Sequence, residues 1–256
     1  MNITIDGLCV VGKSVVGRRL AKQLGYIFID SGLLYRYFSL TYFYLTNEQI
    51  QTKLITQKKE IIKNPLFYLK EFNIVYNLDK STYILNRKRA AQLAKNNEIR
   101  KVINEIIKAF TSSKGFVVAG RDASINIIPD ADIKIVLTAD LTTHVARRYL
   151  ENYDDYGKNI PYFDIKKDFL LHDLHSYKFI EDATKVLTLV INTTRMTIDQ
   201  VSLLDQLEFY LCKLSVKSER ASNRILFGHS FSFHNTNSHS ANSATSLMGV
   251  GYPWYS

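Results

Sequence analysis

Residues 2–14 read Asn2-Ile3-Thr4-Ile5-Asp6-Gly7-Leu8-Cys9-Val10-Val11-Gly12-Lys13-Ser14, and this stretch decides the fold. Ile3-Thr4-Ile5 is a short apolar strand that runs into a loop with the GxxxxGK[ST] spacing. Lys13 to Leu24 then carries Val16, Leu20 and Leu24 on one helical face and stops at Gly25. A strand, a glycine loop and a helix in that order make a phosphate cradle. Its glycines permit close backbone approach, and the loop amides and helix N-terminus point at an anion. The expected nucleotide contacts are Gly7, Leu8, Cys9, Val10, Val11, Gly12, Lys13, Ser14 and Val15. Lys13 would reach the β- and γ-phosphates, and the Ser14 hydroxyl would be a ligand of Mg²⁺. Outward from this loop, Asp30-Ser31-Gly32-Leu33-Leu34-Tyr35-Arg36 sets a hydroxyl and an arginine at the head of the next helix, where a second phosphate fits. Two phosphate sites in succession imply phosphoryl transfer between them.

The rest of the 256 residues alternates strand and helix. The pattern predicts strands at Tyr26–Ile29, Phe116–Ala119, Ile133–Leu137 and Leu187–Ile191. It predicts helices at Leu33–Leu45, from Thr46 to before Pro65, and at Arg89–Phe110, Leu141–Glu151, Ile165–Ile180 and Ile198–Leu214. Phe72–Tyr76 and Thr82–Leu85, flanking Asn77-Leu78-Asp79-Lys80-Ser81, read as a hairpin. Such alternation implies an α/β fold whose sheet is mostly parallel and covered by helices on both faces. From His229 to Ser246, fourteen of eighteen residues are Ser, Asn, His or Thr, so residues 217–256 are expected to be a largely disordered tail.

The net charge of +9 is uneven: residues 40–110 hold thirteen Lys/Arg against six Asp/Glu. No base-reading motif accompanies that excess, so acidic small substrates are the expected partners rather than nucleic acid. Cys9 and Cys212 offer neither metal spacing nor a disulfide framework. No apolar run reaches the ~18 residues of a membrane span. With the first strand beginning at Asn2, no targeting peptide is expected, and the location expected is cytoplasmic.

These motifs resemble the bacterial cytidylate kinase family. The resemblance rests on the glycine loop, on Asp30-Ser31-Gly32 with Tyr35-Arg36, on Gly120-Arg121-Asp122, on Pro129-Asp130-Ala131-Asp132-Ile133-Lys134-Ile135 and on Arg147-Arg148, in family order over about residues 1–214. It implies a P-loop NTPase fold in a domain of residues 1–216, with a nucleoside monophosphate-binding insertion at about 40–100 and a lid at about 152–180. It further implies a monomer that transfers the γ-phosphoryl group of ATP to CMP or dCMP. By the same resemblance Ser31, Arg36 and Arg121 contact the acceptor phosphate, while Arg100 and Asp122 read the cytosine and orient the nucleotide. Arg147 and Arg148 join Lys13 as expected catalytic residues. Arginine suits the phosphate roles because its planar fork pairs bidentately with phosphate.

The chain departs from the family pattern at several places. Val10 and Val11 stand where a glycine and another small residue are usual, and a positive φ at position 10 would strain a β-branched residue. Ala91 stands in place of a serine near the base. About a dozen residues, with an Ile-Arg-Thr core, are missing before Arg100. Between Glu151 and Glu181 the cations are Lys158, Lys166, Lys167 and Lys178 with His172 and His175, and there is no arginine. The alternative reading is therefore a diverged, catalytically weak nucleotide-binding homologue.

Overall fold

A computed structural model describes residues 1–73, 80–156, 161–186, 189–197 and 200. Five strands carry the architecture: β1 (Asn2–Gly7), β2 (Ile27–Asp30), β3 (Phe116–Gly120), β4 (Ile133–Thr138) and β5 (Leu189–Asn192). They form one parallel sheet in the order β2-β3-β1-β4-β5. Every residue of β1 and β3 is buried, as central strands covered on both faces require. Ile3, Ile5, Val117, Val118, Val136 and Leu137 are all inaccessible to solvent. The expected mostly parallel α/β sheet is the one observed.

Because all strands run the same way, their carboxyl ends share one edge. Asp6 pairs with Gly120 in register, and Asp30 with Ala119. After β1 the chain runs out to the edge strand β2, returns to β3 beside β1, and then crosses to β4 on the other side. The edge beyond β1 is thus the switch point where α/β sheets bind ligands. The glycine loop, Asp30-Ser31 and Gly120-Arg121-Asp122 all leave the sheet there.

Helix α1 (Lys13–Leu24) ends as expected at Gly25, left-handed at φ 65°. α2 runs Ser31–Thr41, shorter at its C-terminal end than the Leu33–Leu45 reading. α3 (Asn47–Lys63) opens with a full capping box between Thr46 and Gln49. The hairpin expected around residues 77–81 is a correction. Phe72 lies in α4 (Pro65–Asn73) and Thr82–Leu85 in α5 (Lys80–Leu93), while residues 74–79 lie outside the described set. The reason is packing. Tyr68 and Phe72, one helical turn apart, have ring centroids 6.2 Å apart, and Phe72 also meets Tyr37 and Phe38 edge-on. That cluster buries an i,i+4 aromatic pair that a strand would send to one face at wider spacing.

The single helix expected over Arg89–Phe110 is two: α5 ends at Leu93 and α6 spans Asn97–Phe110. Asn96 causes the break, its side chain accepting from the amides of Glu98 and Ile99 as an N-cap. α6 then buries Ile99, Val102, Ile103, Ile106, Ile107 and Phe110, an i, i+3, i+4 stripe against the sheet and insertion. α7 (Leu141–Tyr156) and α8 (Tyr162–Lys185) extend beyond the ends expected for them.

Met1–Met196 form one compact unit. Of the residues beyond it only Thr197 and Gln200 are described, and they exchange the paired bonds of a capping box. Apart from Gln200, the helix expected at Ile198–Leu214 lies outside the described residues, as do the tail at 217–256 and Cys212. Among the described residues no helix is long and apolar enough to cross a membrane.

Candidate functional site

The loop from Gly7 to Ser14 is shaped by two side chains of α7. His144, 2% exposed, donates from Nδ1 to the Cys9 carbonyl at 2.8 Å. A carbonyl only accepts, so Nδ1 must carry the proton. Arg147 Nη1 lies 3.4 Å from the Val10 carbonyl, while its guanidinium also bonds the Thr193 hydroxyl at 3.1 Å and the Thr193 carbonyl at 2.7 Å. Burial lowers the pKa of Arg147. In a trans peptide the carbonyl and the following amide point opposite ways. Drawing carbonyls 9 and 10 toward α7 therefore turns the amides of Val10 and Val11 away from it, in the sense an anion-binding nest requires.

Loop shape is bought with strain at Val10, whose φ is 53°, alongside Gly12 at 95°. A β-branched residue in the left-handed region costs about 1–2 kcal/mol. Val10→Gly should therefore shift the melting temperature by no more than about 3 °C, because released strain offsets lost side-chain contact. Val11→Gly, at a residue 1% exposed and with no positive φ to relieve, should lower it by roughly 5–10 °C. Equal losses in thermal melts of the two variants would contradict the strain.

Lys13 Nζ donates to the Leu8 carbonyl across the loop. Ser14 Oγ donates to Asp30 Oδ2 at 2.7 Å, and the other carboxylate oxygen of Asp30 caps α2 by accepting from Gly32 N at 2.9 Å. Ser31, buried, is the first residue of α2, and Arg36 follows on the same helix. Gly120 makes that approach possible: a Cβ there would come within 2.9 Å of Ser31 Oγ. Behind Arg36, its carbonyl accepts from Ser39 Oγ at 3.0 Å and from Asn86 Nδ2, on α5, at 2.9 Å.

The Gly120-Arg121-Asp122 turn is fixed by Asp6. Its buried carboxylate accepts from the amides of Ala123 at 2.7 Å and Ser124 at 2.9 Å, and burial pushes its pKa up. Arg121 thereby lies between glycine loop and α8, with Nη1 donating to Ser176 Oγ and Nη2 3.7 Å from Cys9 Sγ. Asp122 pairs with Arg100 Nε at 3.0 Å, their side chains 5% and 16% exposed. Burial works against the charged guanidinium of Arg100, but the bond and charge of Asp122 outweigh it and raise its pKa. Arg100 also donates to the Ala94 carbonyl at 2.8 Å and lies over the Phe179 ring.

The structure thus brings Lys13, Ser14 and Arg121 to one sheet edge with Ser31, Arg100 and Asp122 beside them, and sets Arg147 behind the loop. Arg148 follows it on α7, half-buried. Four contributors carried no assigned role in the sequence reading: Asp6, Asp30, His144 and Thr193. Asp6 and Asp30 sit inside the motifs, so their position was a signal. His144 and Thr193 meet the loop from 135 and 182 residues away, and nothing local marked them.

A family model described as cytidylate kinase matches residues 3–207. A cytidylate kinase of Mesomycoplasma hyopneumoniae (strain 232) is 32% identical over 219 residues, covering 78% of this chain and 90% of its own. One of Caldicellulosiruptor saccharolyticus is 29% identical over 216 residues, covering 78% and 92%. Among solved structures, shikimate kinase from Bacteroides thetaiotaomicron superposes with a TM-score of 0.47 at 12% identity, over 82% of this chain and 98% of its own.

Proposed function

The chain belongs to the cytidylate kinase family, and we propose that it transfers the γ-phosphoryl group of ATP to CMP or dCMP through the residues gathered at the carboxyl edge of its sheet. The supporting observation is the juxtaposition of an anion-binding loop with a cluster of arginines that Asp6 and Asp122 hold in place. An oxygen of the acceptor 5′-phosphate attacks the γ-phosphorus. The bond from that phosphorus to the β,γ-bridging oxygen breaks, and CDP or dCDP leaves with ADP. Such a transfer asks mainly for positioning and charge neutralisation. Loop amides and Lys13 hold the donor phosphates. Ser31, Arg36 and Arg121 hold the acceptor phosphate, and Arg100 with Asp122 orients the base.

Among the described residues no three His, Cys, Asp or Glu group as a metal site. Magnesium commonly takes only one or two protein oxygens plus substrate phosphates, and the Ser14 hydroxyl, a hard oxygen ligand, fits that use. When bound with ATP, Mg²⁺ would neutralise charge between the β- and γ-phosphates. Arg147 and Arg148 add positive charge on α7, from the side of the loop's carbonyls. The segments at about 40–100 and 152–180 are proposed as the parts that close over the substrates, in a cytoplasmic monomer acting on free nucleotides rather than nucleic acid.

Purified protein with Mg²⁺ and ATP, offered a panel of nucleoside monophosphates, should form CDP and dCDP fastest. Folded protein that forms no diphosphate from any acceptor would sink this reading, and binding without turnover would favour the weak homologue instead.

A further inference from the structure

We propose that Asp30 is the second protein ligand of the nucleotide-bound metal ion, and that its carboxylate joins that metal to the helix that holds the acceptor. The proposal rests on the reading that the glycine loop holds ATP. Three carboxylates stand at or beside the carboxyl ends of β1, β3 and β2: Asp6, Asp122 and Asp30. Asp6 is committed to the amides of Ala123 and Ser124, and Asp122 to Arg100 and Asn126. Asp30 alone of the three meets the loop hydroxyl, accepting from Ser14 Oγ at 2.7 Å.

That distance carries the argument. Magnesium binds oxygen at about 2.0–2.1 Å in near-ideal octahedral geometry, so neighbouring ligand oxygens lie ~2.9 Å apart. Ser14 Oγ and Asp30 Oδ2 already stand close to one edge of that octahedron. A carboxylate and a hydroxyl are hard oxygen donors, and a pair of protein ligands leaves room for phosphate oxygens and water. Meanwhile Asp30 Oδ1 keeps the Gly32 amide at 2.9 Å, capping the helix that bears Ser31 and Arg36. One side chain would therefore register the donor metal against the acceptor helix.

The test is Asp30→Asn, since asparagine caps helices as well as aspartate does but lacks the charge. Binding of the β,γ-methylene analogue of ATP is measured by calorimetry with and without Mn²⁺, and Mn²⁺ affinity by electron paramagnetic resonance. Wild-type protein should bind the analogue in both conditions and hold Mn²⁺ in the complex. Asp30→Asn should hold Mn²⁺ at least about tenfold more weakly, with metal-free analogue affinity within about threefold of wild type. Unchanged Mn²⁺ affinity would overturn the Asp30 assignment alone, and so would an equal loss of metal-free and metal-dependent binding, which marks a capping role only. Wild-type protein that binds no analogue in either condition would overturn the donor-site reading beneath it. Asp30→Ser, which also keeps a capping oxygen, carries the same comparison if the asparagine variant does not fold.

Discussion

Replacing Lys13 with Met is expected to lower kcat for CMP phosphorylation by on the order of 10²–10³ while leaving the fold intact. Lys13 opens α1, and its ammonium folds back over the loop to the Leu8 carbonyl. With ATP in the loop as proposed, an ammonium held at that point would meet phosphate charge as the transferring group separates from ADP. Methionine keeps the length and packing of the stem but removes the charge. Because the residue is half-exposed and its ammonium donates to a loop carbonyl, the melting temperature should move by less than about 3 °C. The KM for CMP should stay within a few-fold, since the role proposed for Lys13 is on the donor side. Steady-state kinetics with a melting curve check both halves. A kcat within tenfold of wild type would place the catalytic charge elsewhere, with the Arg147–Arg148 pair the next to test.

What the sequence disclosed and what it withheld divide along physical lines. Contacts local in the chain were legible. The glycine loop, the Gly25 stop and the Thr46–Gln49 capping box depend on neighbours a few residues away. Val10 belongs with them, because a left-handed φ at a known loop position is a local demand and the residue type stands in plain view. Misreadings arose where two local signals competed. Phe72 to Tyr76 is rich in strand-formers, yet the Tyr68–Phe72 pair at helical spacing packs against Phe38 and prevails for Phe72. Asn96 looked like one polar residue in a long helical run, although its oxygen was free to cap the next helix. The hidden part of the site was of another kind. Thr193 holding Arg147, His144 holding the Cys9 carbonyl and Asp6 holding the amides after Asp122 exist only once β1, β3, β4 and β5 are side by side. No pattern of spacing announces bonds between residues 46, 135 and 117 positions apart.

The same distinction bears on Arg100, whose motif hinted at base reading but not at its structural weight. Arg100→Ala should cost about 3–5 kcal/mol of stability, or roughly 10 °C in melting temperature. The loss of attraction is the smaller reason. Asp122, its side chain 5% exposed, would keep a charge with the Asn126 amide at 3.1 Å as the neutral remainder of its partners. The Ala94 carbonyl just beyond the end of α5 would lose its donor as well. Desolvated charge without a counter-charge is the costly product, so removing both members should be gentler than removing one. Arg100→Ala/Asp122→Ala is accordingly expected to melt above Arg100→Ala, with a coupling energy of at least about 1 kcal/mol in the double-mutant cycle. If the pair orients the base as proposed, both variants should raise the KM for CMP and lower the ratio of kcat/KM for CMP to that for UMP. Strict additivity in the cycle would mean that the 3.0 Å pair carries no special energy. In that case Arg100 would act on the acceptor through its bond to Ala94 and its place over the Phe179 ring, not through Asp122.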